Sequence, residues 1–125
     1  MYEARGTFKV TLTPADAPPI GRVTIDKTFS GDLVGTSVGQ MLAFRTSVEG
    51  SAGYVAMERV EGTLAWRMGA FVLQHSGTMD RGAPTLAVSV VPDSATDGLA
   101  GLTGTMDIQV SPGRHDYAFR YRMPD

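Results

Sequence analysis

At 125 residues, with 42% hydrophobic and 19% charged side chains, the chain is long enough for one domain with a self-sufficient core and too apolar to be disordered. A net charge of −2, with the basic residues scattered, excludes the electrostatic footprint of a nucleic-acid binder or of an anionic-membrane binder. The absence of cysteine removes disulfides, thiolate metal sites and cysteine nucleophiles together. No apolar run approaches the ~18 residues that span a bilayer. The start, Met1-Tyr2-Glu3-Ala4-Arg5, has neither the basic nor the apolar region of a signal peptide. A single cytoplasmic domain over residues 1–125 is the expectation.

Hydrophobicity alternates with a period of two almost throughout. Residues 6–12 alternate cleanly, with Phe8, Val10 and Leu12 on one face. A proline-rich connection at 13–19 precedes a strand at 22–29 that places Val23, Ile25, Lys27 and Phe29 together. Ser30-Gly31-Asp32 reads as a turn, 33–47 as one long strand or a bent pair broken by Gly35 and Gly39, and Glu49-Gly50-Ser51 as another turn. Strands are predicted at 53–64, with a bulge or bend at Gly62, and at 66–76, centred on Phe71, Val72 and Leu73. A turn-rich stretch at 78–84 leads into a β-branched strand at 85–91. The polar segment 92–101 is the longest interruption, with room for a helical turn, and strands at 101–110 and 113–123 complete the set. About eight strands at ~8–12-residue spacing, with no sustained helical period, point to an all-β sandwich or barrel. Fifteen glycines supply the bends of a tight barrel, and closure removes exposed edges.

The last strand carries the most information. His115, Tyr117, Phe119 and Tyr121 share one of its faces, and Asp116, Ala118, Arg120 and Arg122 the other. Such rings suit a lining of mixed polarity, because their polar tips need partners when buried. Lys27, among apolar neighbours, needs an acidic partner or else loses its proton and becomes a base or Schiff-base nucleophile. The plainer reading is a snorkelling lysine or a structural ion pair. Glu58 shares parity with Tyr54, Ala56 and Val60, so with that face inward it is a general base or the partner of Lys27. A slip of one residue buries Val55 and Met57 instead.

His75 follows Phe71 and Leu73 at period two, as the inner end of a strand. His75, His115 and Glu58 offer the ligand types of a two-histidine, one-carboxylate centre, but no two of them share a short motif, and no metal or other cofactor is expected. Gly35-Thr36-Ser37-Val38-Gly39 matches the G-x-S-x-G of serine hydrolases, whose strained strand-to-helix turn belongs to a much larger α/β sheet.

Four segments recur together: Lys27-Thr28-Phe29-Ser30-Gly31-Asp32-Leu33, Tyr54-Val55-Ala56-Met57-Glu58-Arg59, Gly69-Ala70-Phe71-Val72-Leu73-Gln74-His75 and His115-x-Tyr117-x-Phe119-x-Tyr121. In them the sequence resembles a bacterial family of small uncharacterised proteins, a domain of unknown function with an allene-oxide-cyclase-like barrel. The resemblance covers nearly the whole chain. It implies a closed eight-stranded antiparallel β-barrel, related in shape to dirigent proteins and some spirotetronate cyclases, and it carries no established activity. The motif residues Lys27, Tyr54, Glu58, Gln74, His75, His115, Tyr117 and Tyr121 are polar groups in apolar strands. The chain departs from the family pattern at Trp66 and Ala70, where small residues or Gly and Ser are usual, and at Arg120, where an acid is common. Trp66 then closes one mouth of the barrel or serves an oligomer interface, and the resemblance allows a homo-oligomer, dimer or trimer.

The expected function is binding of a hydrophobic small molecule in the barrel lumen, lined by Tyr54, Trp66, Phe71, Gln74, His115, Tyr117, Phe119 and Tyr121. A cofactor-independent isomerase or cyclase acting on an apolar or polyketide-like substrate would fold it into a reactive conformer. Glu58 or His75 would move a proton, and Lys27 or a tyrosine would polarise a carbonyl. Two alternatives stand beside it. One is a carrier with the same pocket and no chemistry, the other a barrel whose interior is simply packed.

Overall fold

The period-two pattern becomes eight strands in a computed structural model that describes residues 1–14 and 19–124. They are β1 (Tyr2–Pro14), β2 (Gly21–Gly31), β3 (Leu33–Arg45), β4 (Ala52–Leu64), β5 (Arg67–Asp80), β6 (Ala83–Val90), β7 (Thr103–Ser111) and β8 (Arg114–Arg122). Each strand pairs antiparallel with the next, and β8 pairs back to β1, so the sheet closes into a barrel. Antiparallel neighbours need only short connections, which the turn residues supply.

Residues directly opposite one another point to the same side of the sheet. Phe8 faces Phe29 and Gly35 in one row, and Val10 faces Lys27, Ser37 and Val60 in the next. Several strand boundaries differ from those read in the sequence. β3 is one unbroken strand, and its glycines serve close approach: a Cβ on Gly39 would lie 2.3 Å from the Met57 carbonyl oxygen and 2.7 Å from Glu58 Cβ. Gly62 forms no bulge, because it pairs in register with Gly35 on one side and Gly69 on the other. The stretch 78–84 is mostly strand around an Arg81-Gly82 turn. Of the proline-rich connection, Thr13 and Pro14 extend β1, and residues 15–18 lie outside the described residues.

One end of the barrel is sealed by apolar packing. Phe71 and Phe119 stack with ring centroids 5.8 Å apart, and Phe119 and Tyr121 with 5.3 Å. The segment after β6 explains the seal. It runs along β5, where Val91 N–H donates to the Val72 carbonyl and Thr96 N–H to the Ala70 carbonyl, while Ser94 Oγ accepts from Val72 N–H. A 3₁₀ turn at Asp97–Leu99 then drops Leu99 and Leu102 into the core. Because this segment occupies the β5 edge, β6 and β7 meet only around Ser89 and Thr105.

The β4–β5 hairpin closes through two residues, Ala65 and Trp66, with φ of 48° and 56°. Two left-handed central residues make the tight turn that Asn-Gly favours. Side chains bearing a Cβ cost roughly 1–2 kcal/mol each in that conformation, yet the turn holds alanine and tryptophan. Trp66 is 88% exposed.

Candidate functional site

Four neighbouring strands each send one polar side chain inward. Lys27 from β2, Ser37 from β3, Glu58 from β4 and His75 from β5 are all buried. Glu58 Oε1 accepts from Lys27 Nζ at 2.8 Å and lies 2.5 Å from His75 Nε2, while Oε2 accepts from Ser37 Oγ at 2.5 Å. An ionised carboxylate only accepts, so His75 Nε2 carries the proton of that contact. Gly39 makes the grouping possible, since its missing Cβ leaves room for Glu58 on the adjacent strand. Among the described residues no buried side-chain polar atom lacks a partner.

The electrostatics follow from these contacts. Burial pushes the Glu58 carboxyl up, but the His75 hydrogen bond, the charge and hydrogen bond of Lys27 and the Ser37 hydroxyl outweigh it and hold it at about 2. Lys27 Nζ also lies 4.6 Å from the centre of the Phe8 ring, which gives the cation a second favourable contact. Phe8 in turn packs on His115 at 5.1 Å. Burial, and then the charge of Glu58, raise the pKa of Tyr54, so its hydroxyl stays protonated beside the cluster.

Beyond the cluster the strands run on to the other end of the barrel. The inward positions of the strand ends remain apolar and become accessible, with Leu12 51%, Leu86 41% and Val110 71% exposed. Val10, Met41 and Ile108 are half-buried between this rim and the cluster. The inward face thus passes from an apolar mouth to a buried ionic floor.

Over residues 4–121 the sequence matches the family described as protein of unknown function (DUF3224). The chain belongs to that family. A DUF3224 protein of unknown function from Shewanella oneidensis MR-1, known from a crystal structure, is 45% identical. The match covers 100% of this chain and 98% of that one, with a TM-score of 0.95. No protein of curated function matches. Within this DUF3224 barrel, no helix among the described residues is long and apolar enough to cross a membrane.

The remaining sequence candidates fall in other places. Phe71, Phe119 and Tyr121 belong to the packed core of the closed end. Tyr117 acts there as a latch, its hydroxyl accepting from Leu33 N–H at 2.9 Å and lying 3.0 Å from the Ser30 carbonyl, to which it donates. Gln74 is a correction. It points outward, opposite Met57, because it sits one residue out of phase with the inward Leu73 and His75. Trp66 is a second correction, since its place in the hairpin turn carries it outside the lumen. His115 stacks on Phe8 rather than joining Glu58 and His75, and no trio of metal-ligand type is gathered among the described residues. The G-x-S-x-G serine lies within β3 rather than in an elbow.

Ser37 and Phe8 are the members of the site that sequence reasoning missed. Ser37 was the sole hydroxyl between two glycines on the inward parity of β3, directly opposite Lys27. That pairing was its one available signal.

Proposed function

We propose that the barrel binds a small apolar molecule bearing a carbonyl or comparable polar oxygen, taken in at the end lined by Leu12, Leu86 and Val110 and met at the floor by Lys27. The observation that carries this reading is the run of accessible, inward-facing apolar side chains beside a buried ion cluster in which every polar atom has a partner and the Lys27 ammonium keeps donors to spare. Apolar surface left open to water gains free energy when a ligand covers it. Burying charged groups costs several kcal/mol per ion, and even a good pair roughly breaks even against apolar packing. A cluster of this kind is therefore better explained by recognition than by stability. Lys27 is the member suited to meet an oxygen, since an ammonium has three donors and Glu58 takes one.

A catalytic form of this reading is a cofactor-independent isomerase or cyclase on an apolar or polyketide-like substrate. The His75–Glu58 contact favours it. With Nε2 protonated, a neutral His75 keeps a lone pair on Nδ1. That nitrogen would take a proton from the carbon next to a carbonyl, and the C–H electron pair would become part of a C=C bond. Lys27 would stabilise the oxygen as it gains charge, and return of the proton to another carbon would complete an isomerisation. A carrier reading is favoured by the low pKa of Glu58, because a carboxyl held at about 2 is a weak base.

Titration with 2-nonanone in D₂O separates these readings. Binding is expected to move the methyl resonances of Ile108 and Val110. Catalysis adds deuterium at the carbons flanking the ketone, which His75→Gln abolishes while the methyl shifts persist. A carrier gives the shifts without exchange. Shifts confined to the outward Val34 and Val38, or none at millimolar ketone, defeat the binding reading.

A further inference from the structure

A pocket of about 290 Å³ opens on the closed end of the barrel, opposite the mouth, between the β4–β5 hairpin and the residues that follow β8. Its walls are Tyr2, Leu64, Trp66, Tyr121, Met123 and Pro124. Leu64 is six residues from Glu58 along β4, which puts this pocket about 20 Å from the ion cluster.

Three features point to a ligand here. Arg67 lines the pocket and makes no ion pair among the described residues. The acid whose charge acts on Tyr121, Asp32, is already engaged by the Arg5 backbone N–H at 2.8 Å. Trp66 occupies a left-handed turn position that favours glycine, and it presents its indole to solvent instead of to the core. Finally, Tyr2 and Tyr121 lie 5.6 Å apart beside it, so three aromatic side chains surround one apolar space.

We propose that this end is a separate binding site for a single-ring aromatic carboxylate, its ring against Trp66 and Tyr121 and its carboxylate on Arg67. Aromatic faces hold a planar ring by offset or edge contacts. The guanidinium fork matches a carboxylate with two parallel hydrogen bonds. The volume sits at the lower limit of ligand pockets, ~300–1,000 Å³, and so admits one ring with a short arm rather than a fused polycycle.

Trp66 is the chain's only tryptophan, so emission excited selectively from tryptophan reports on this pocket alone. Titration with 3-phenylpropionate is expected to give a saturable change, and 3-phenylpropanol to bind roughly tenfold more weakly. Arg67→Gln, at an exposed position, is expected to weaken the acid by about the same factor and leave the alcohol unaffected. A saturating amount of 2-nonanone should leave the acid titration unchanged, which keeps this site distinct from the mouth. No saturable response at millimolar acid, equal responses to acid and alcohol, or indifference to Arg67→Gln would each overturn the assignment.

Discussion

At the closed end of the barrel the inward positions hold Phe71, Phe119, Leu99 and Leu102, all withdrawn from water, whereas towards the mouth the same parity of β2, β4 and β5 holds Lys27, Glu58 and His75. Full burial of each large apolar side chain contributes roughly 1.5–3 kcal/mol. The ionic group contributes little net stability by comparison, because desolvation offsets its attraction. One end therefore holds the barrel shut, and the other is released to carry groups that stability alone would not select. The contrast also separates two kinds of tyrosine. Tyr117 is spent on the β2–β3 turn, while Tyr54 stands half-buried near the cluster.

The strongest way to break this contrast is to remove one ion. Glu58→Gln is expected to cost about 3–5 kcal/mol, because it leaves the Lys27 charge buried without an anion. Adding Lys27→Met should recover most of that loss, since the double variant buries no charge. Phe119→Ala at the closed end is expected to cost a similar ~3–5 kcal/mol, with no polar change able to restore it. Urea unfolding of the four proteins gives these values. A loss below about 1 kcal/mol for Glu58→Gln, the range of solvated pairs, would mean that Lys27 reaches water and the floor of the mouth is wet.

Acid offers a smaller perturbation of the same end. The folded Glu58 carboxyl sits at about 2, below its usual 4.5, so the unfolded chain binds the proton more readily between those values. The resulting stability is present above about pH 4.5 and disappears as pH falls towards 2, with a total on the order of 3 kcal/mol. Urea midpoints across that window should fall faster for the wild type than for Glu58→Gln. Parallel curves would place the acid sensitivity in other carboxylates.

The pattern of period two was enough to read about eight strands and an interruption at 92–101 with room for a helical turn, because each depends on local alternation and turn residues. Closure, which pairs β8 with β1 across the whole chain, was implied by the family resemblance instead. Alternation left the facing of Glu58 open, since a one-residue slip exchanges Glu58 for Met57. What settles it is a pairing between strands, with Gly39 opposite Glu58 and Ser37 opposite Lys27. The motif groups Gln74 with the interior, whereas its phase beside Leu73 and His75 turns it outward. The Tyr117 latch binds backbone atoms more than 80 residues away, for which no local pattern exists. The Ala65-Trp66 turn was hidden because it lacks the glycine and asparagine that announce a two-residue hairpin.

That turn allows the gentlest test of the contrast, and its expected direction is a gain. Trp66→Gly removes an exposed indole and places in the left-handed position the residue that suffers least there. The expected change is a stabilisation of about 1 kcal/mol, or a rise in Tm of roughly 3–6 °C for a domain of this size. Such a gain would mean that the fold does not need the indole, which leaves it free to meet a ligand as the Arg67 pocket requires. A fall in Tm would show instead that the indole packs as part of the closed end, and the aromatic platform would then be a piece of the core.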